Sequence, residues 1–288
     1  MSLQDIRHHI KGVKNIQQIT NAMDMVATSR LRHAKEAAIA NRPYAEKVKE
    51  AVMDVAAHAS GDLTHPLIQQ HETGKRLILC IAADKGLAGA YSSNACKKAL
   101  TLIEDKNNTT FITVGRKARD YFHFRGYNLT DSFFGISEKP GVEDARMVAT
   151  ALIDQFIDHD IKEVYMVYTH FVSAINCEPR ALQLLPFVDL GKKDGDKADK
   201  KPQAEFIYEP SADEVLRFLL PQYLFTTIYA AMLQSAASEL SSRMNAMSNA
   251  TDNAEDLMNK LNLHYNKVRQ AGITREITEI VGGAEALK

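Results

Sequence analysis

The sequence predicts a Rossmann-like α/β domain inserted between two long terminal helices that form an antiparallel, left-handed coiled coil. Three observations predict it. Apolar residues recur at alternating four- and three-residue steps near the N-terminus. The same steps return from Leu240 to Val268. Between them, short apolar runs alternate with helical stretches, punctuated by Gly and Pro. A long amphipathic helix cannot bury its apolar stripe against itself, so each terminal helix needs the other. The boundaries read as 1–57 for the first shaft helix, 58–205 for a connector and the α/β domain, and 206–288 for a foot segment and the second shaft helix.

In the first helix, Ile6, Ile10, Val13, Ile16, Ile19, Met23 and Val26 form the stripe, with Ala27, Leu31, Ala34 and Ala38 extending it. Small residues beside Ile allow close approach of a partner. Ser2 and Asp5 suit an N-terminal cap. Pro43 falls inside the pattern and predicts a kink, because proline lacks the N–H of a helix bond. The first fifty residues hold nine Lys/Arg against five Asp/Glu. That excess reads either as a solvated helix face or as a basic shaft facing an acidic collar.

Residues 58–75, with Gly61, Pro66 and Gly74, form the connector. Strands are expected at 76–84, 109–115, 127–134, 162–172 and 180–186, and helices at 90–104, 116–125 and 142–159. Alternation of strand and helix implies parallel pairing. Residues 191–203, GKKDGDKADKKPQ, read as a mobile loop. Ser211 with Glu214 three residues on forms a capping box, and Pro221 lies in the early turns of the last helix. Its ladder runs Leu240, Met244, Met247, Thr251, Ala254, Met258, Leu261, Tyr265, Val268. A sustained heptad predicts a left-handed supercoil. The second helix outruns the start of the first, leaving a single-helix tip. There Ile273, Ile277, Ile280 and Val281 make an apolar stripe without an intramolecular partner, beside a polar cluster that includes Arg269, Gln270, Thr274, Arg275 and Glu276.

Composition narrows the function. A formal net charge of −1 over 288 residues offers no global field for nucleic acid. No apolar run is long enough to span a membrane, and the N-terminus lacks the apolar core of an export signal. Cys80, Cys96 and Cys177 read as reduced thiols of a cytosolic protein. DKGLAGAYSSN (84–94) follows a strand and opens a helix, where a phosphate loop would sit, but it carries neither G-K-[ST] nor G-x-G-x-x-G. It reads as a tight strand-to-helix turn. The histidines have no metal-ligand spacing, and no nucleophile–base constellation is suggested. No cofactor is expected.

With these features in place, three stretches identify a resemblance: IKGVKNIQQITNAMDMVATSRLRHA, DKGLAGAYSSN, and MNAMSNATDNAEDLMNKLNLHYNKVRQAGITREITEIVGGAEAL. Across essentially the whole chain the sequence resembles the gamma subunits of bacterial F-type ATP synthases. RPYAE at 42–46 and YEP at 208–210 fit as well. The middle motif departs from the GLCGG of many relatives, and the disulfide insert of chloroplast relatives is absent.

The resemblance implies a rotor, not an active site. It implies a shaft turning inside three alpha and three beta subunits, an α/β domain beside an epsilon subunit, and a foot on a membrane c-ring at the cytoplasmic face of the cell membrane. It implies that Met23, Arg243, Arg269, Gln270, Thr274 and Glu276 meet the alpha and beta subunits, and that Phe206, Tyr208 and Glu209 lie near the c-ring. It further implies that Asp84, Lys85, Gly86, Leu87, Gly89 and Asn94 belong to a signature that packs the α/β domain against the shaft. A nucleotide-binding α/β enzyme with helical arms is the alternative, and a generic coiled-coil adaptor a third.

Overall fold

A computed structural model describes residues 2–58, 65–69, 71, 73–158, 160–187, 208–209 and 211–285. The expected loop at 191–203 and Phe206 lie outside the described residues. The elements in order are α1 (Leu3–His58), β1 (Lys75–Ile81), α2 (Tyr91–Leu100), β2 (Thr109–Val114), α3 (Arg116–Phe124), β3 (Asn128–Phe133), α4 (Val142–Asp158), β4 (Ile161–Phe171), β5 (Cys177–Leu185) and α5 (Ala212–Glu285). The chain forms two compact units, residues 29–242 and the combination of residues up to 28 with those from 243 onward. Helices α1 and α5 contribute to both.

In the unit 29–242, five strands form one sheet in the order β3-β2-β1-β4-β5. Strands β1 to β4 pair parallel. Strand β5 runs antiparallel to β4, which corrects the expectation of parallel pairing at that strand. The reason is chain length. Only residues 172–176 separate the two strands, whereas a parallel neighbour needs a crossover of about a dozen residues. Strand β1 is apolar and buried from Leu77 onward, and β2 is buried along its whole length with three threonines among its six residues, as parallel strands covered on both faces must be buried.

Two apolar layers flank the sheet. One holds Ile78, Cys80, Phe111 and Val167 against Cys96 and Ala99 of α2 and Ala118 and Phe122 of α3. The other packs Leu79, Ile112, Val164 and Met166 against α4, Val52 and Val55 of α1, and Leu216 to Met232 of α5. Cys80 and Cys96 are buried free thiols. A hydrogen bond between them, together with burial, holds Cys80 well above the ordinary thiol range. Gly115 joins β2 to α3 at φ 92°, and its N–H donates to Phe133 O at 2.8 Å. A Cβ here would be driven into the Ala82 carbonyl.

In the other unit α1 and α5 lie antiparallel. Arg7 Nε donates to the Tyr265 hydroxyl at 2.9 Å, and the Thr20 and Thr251 hydroxyls meet at 2.8 Å. Ser2 and Asp5 cap α1 reciprocally: Ser2 N–H donates to Asp5 Oδ2 at 2.8 Å and Asp5 N–H to Ser2 Oγ at 3.2 Å. The α5 face turned to α1 carries the expected ladder, from Met247 through Thr251, Ala254, Met258, Leu261 and Tyr265 to Val268, each buried or half-buried.

The α1 face is a correction. Up to residue 28 its buried and half-buried positions are Leu3, Ile6, Ile10, Val13, Gln17, Thr20, Asp24 and Ala27, an unbroken alternation of three and four, with Met23 half-buried beside it. Ile16, Ile19 and Val26, expected in the seam, are 55%, 59% and 51% exposed. The heptad continues through polar and small residues there, while the larger apolar ones point outward. Helix α1 continues through Pro43, and α5 through Pro221, as helix on both sides.

Two substitutions test this account. Gly115→Ala should lower unfolding stability by about 3 kcal/mol or more in a urea titration, since side chain and backbone strain both oppose it. Thr20→Val alone should cost about 1 kcal/mol, while Thr20→Val with Thr251→Val should cost no more than the single change, because neither hydroxyl then lacks its mate.

Candidate functional site

Two regions answer to the expectations: the end of α5, and the crevice beyond the carboxyl ends of the strands. Each belongs to its own unit.

At the end of α5 the ladder stops. With Arg7 opposite Tyr265, α1 begins opposite the residues just past Val268. Helix α5 continues to Glu285, and from Ile273 to Ala284 every residue is exposed. Ile273 (49%), Ile277 (56%), Ile280 (70%) and Val281 (61%) recur at helical spacing on this segment. Arg269, Gln270, Thr274 and Glu276 are likewise exposed along it. The Thr274 carbonyl accepts from the Thr278 hydroxyl at 2.9 Å. Such a helix presents both directional polar groups and an apolar stripe to whatever surrounds it. Met23 is half-buried on α1. Arg243 is only 7% exposed, so little of it is offered as surface.

Five of the nine cations of the first fifty residues have partners within the chain. Arg32 pairs with Glu36, Arg42 with Glu46 and Lys47 with Glu50 on the helix surface, while Arg7 serves Tyr265 and Arg30 serves Glu138. Exposed pairs of this kind contribute little energy.

In a doubly wound sheet the crevice at the strand-order switch, here between β1 and β4, is where a nucleotide would bind. Helix α5 occupies that place. Ser235 Oγ accepts from Thr169 N–H at 3.2 Å, the Ser238 hydroxyl donates to Thr169 O at 3.1 Å, and Gln234 Oε1 accepts from Phe171 N–H at 3.2 Å. The open backbone groups at the end of β4 are thus satisfied by side chains of the chain itself. Tyr91, the first residue of α2, is buried there with Ala83 and Ala88. Burial, with the nearby Glu239, holds its phenol well above the ordinary range, and a hydrogen bond with Ser235 opposes this.

The signature turn is likewise self-satisfied. One Asp84 carboxylate oxygen accepts from Arg116 N–H, at the start of α3, at 3.3 Å. The other accepts from Gly135 N–H at 2.8 Å and Ser137 N–H at 3.3 Å. A carboxylate fixed by the protein fills the position where that helix end would attract an anion. Lys85 Nζ and Arg30 Nη1 both reach Glu138, at 3.3 Å and 2.5 Å, so the turn is tied to α1. Leu87 and Gly89 adopt positive φ, 62° and 54°, which lets the chain reverse before α2. Gly86, Leu87, Gly89 and Asn94 are exposed.

Of the foot residues, Tyr208 is half-buried against the sheet's core and Glu209 is exposed. The sequence reading missed Arg30, Glu138, Ser137, Ser235 and Ser238. Only the run of small hydroxyl residues in α5, SAASELSS at 235–242, marks a helix face built for close polar contact with backbone.

The chain thus fills its own crevice and presents an exposed apolar stripe at the end of α5, features of a binding rather than a nucleotide-holding fold. The comparisons agree. A family profile described as ATP synthase matches residues 2–287. The chain is 44% identical over 287 residues to the ATP synthase gamma chain of Desulforamulus reducens, covering 100% of this chain and 99% of that one. It is 42% identical over 287 residues to that of Halothermothrix orenii, with the same coverage. Among solved structures, a chain of the Euglena gracilis mitochondrial ATP synthase shares the fold with a TM-score of 0.71 at 18% identity, over 99% of this chain and 94% of that one. A chain of the Tetrahymena thermophila central stalk and c-ring structure does so with a TM-score of 0.64 at 24% identity, over 81% and 99%. The chain belongs to the ATP synthase gamma chain family.

The buried phenol gives a pH prediction. Its raised folded pKa contributes stability that is fully present below its ordinary value near 10 and is lost as pH rises above it. The difference in unfolding free energy between wild type and Tyr91→Phe should be constant at neutral pH and shrink by up to about 1.4 kcal/mol per pH unit above pH 10. Urea titrations across that range check it.

Proposed function

We propose that this chain is the central shaft of a rotary F-type ATP synthase. It couples ion flow through a membrane c-ring to ATP synthesis or hydrolysis on alpha and beta subunits, and it carries no catalytic site of its own. The observation that carries the reading is the tip: a helix with an exposed apolar stripe continuing past the start of α1. The relatives' names support it, since they are ATP synthase gamma chains, as do the titles of the similar structures, a central stalk with c-ring and an F1/c-ring assembly.

In this reading the tip turns inside a collar of three alpha and three beta subunits. Arg269 and Gln270 form directional hydrogen bonds to a beta-subunit loop at one rotary position and release them at the next. Thr274 and Glu276 continue that contact, and Met23 and Arg243 meet the collar lower on the shaft. Two helices wound together resist twist better than one, and a non-symmetric pair offers each beta subunit a different face. Residues 1–57 and 206–288 supply shaft and foot, and 58–205 the α/β domain beside an epsilon subunit. Phe206, Tyr208 and Glu209 rest near the c-ring. The chain is peripheral at the cytoplasmic face of the bacterial membrane. Among the described residues, no helix is long and apolar enough to cross a membrane.

Reconstitution tests this. Mixed with alpha and beta subunits of a gamma-depleted relative, the chain should co-purify with them and support ATP hydrolysis, while alone it should hydrolyse none. Failure to join that complex, or hydrolysis by the chain alone, would overturn the proposal. In the assembled enzyme Arg269→Ala and Gln270→Ala should each lower turnover by up to about tenfold, the worth of one charge-assisted hydrogen bond. Their circular dichroism should match wild type. Wild-type turnover in both variants would remove these residues from the role.

A further inference from the structure

Helices α2 and α3, within the unit 29–242, cover one face of the sheet and leave a groove between them of about 440 Å³. Its α2 wall is made of small side chains, Ser92, Ser93 and Cys96. The α3 wall is Lys117, Tyr121, Phe124 and Arg125, spaced i, i+4, i+7 and i+8 and therefore on one helix face. Phe124 stands at the rim 89% exposed. Arg125 lies over the Tyr121 ring at 3.6 Å. Asp120, the acid lining the groove, is held by Arg119 at 2.7 Å.

The charge of this face sets it apart. Lys117 and Arg125 line the groove against Asp120, which Arg119 pairs, and Lys97, Lys98 and Arg116 add cations along the same two helices, in a protein whose formal net charge is −1. The surplus is local. A chain with that overall balance has no long-range field to draw it to a membrane or a nucleic acid. A short-range patch can still select a few carboxylates. The concavity points the same way, because a trough between two helices accepts the ridge of a third.

We infer that the α2–α3 groove docks an acidic amphipathic helix of a partner protein. An apolar side chain of that helix packs between Phe124, Tyr121 and the small α2 wall, and its carboxylates face Lys117 and Arg125. The inference does not depend on the shaft reading.

The chain contains no tryptophan, so Phe124→Trp supplies a unique reporter at an exposed position. The full chain is titrated with a synthetic Glu-rich helical peptide bearing leucines along one face. Parallel titrations use its Lys-for-Glu counterpart, its Ser-for-Leu counterpart, phosphatidylglycerol vesicles and an oligothymidylate. A saturable blue shift confined to the first peptide is expected. Lys117→Glu with Arg125→Glu, in the reporter background, should weaken it about tenfold or more. Calorimetry on Phe124→Ala, with no reporter, should show a similar loss. Equal response to the Ser-for-Leu peptide overturns the groove's part, and insensitivity to charge reversal overturns the electrostatic part. A stronger response to vesicles or oligonucleotide replaces the proposed partner with that surface, and no response to any probe overturns the proposal outright.

Discussion

Antiparallel pairing of α1 with α5 through a heptad seam is the constraint on which the other features rest. Neither helix can bury a stripe alone, and the two lie far apart in sequence. In the unit that joins residues up to 28 with those from 243 onward, Arg7 meets Tyr265 and Thr20 meets Thr251. Residue numbers across each contact sum to nearly the same value, which is the signature of one antiparallel register. That register, with α1 starting at Leu3, leaves the end of α5 uncovered.

The seam also explains what could and could not be read from the sequence. On α5 the heptad positions are mostly Leu, Met, Tyr and Val, so spacing and side-chain type agree and the ladder is legible as written. On α1 they conflict: Gln17, Thr20 and Asp24 hold the seam while Ile16, Ile19 and Val26 are exposed. Following the largest apolar side chains slips the register by one position. Following the period alone would have kept it. Strand β5 teaches a similar lesson, since the shortness of the link at 172–176 was decisive over the general rule that alternating strands pair parallel.

The tip was legible because it needed only the count of residues past the last possible partner. The crevice was not. Its closure depends on Ser235 and Ser238 reaching Thr169 across more than sixty residues of chain. No local pattern announces such a contact, and serines in a helix are ordinarily ambiguous. Asp84 is a partial case. Its place at the end of a strand before a glycine-bearing turn was visible, but its three backbone donors come from the turns after β2 and β3, which only the fold brings together.

The filled crevice has a consequence for how the domain responds to its surroundings. A doubly wound sheet that binds a small molecule is stabilised by mass action, so its rigidity follows the concentration of that molecule. Here the occupant is a helix of the same chain, present at a local concentration that no dilution or metabolic change alters. The stability of the sheet therefore does not have to follow the concentration of a small molecule in that crevice.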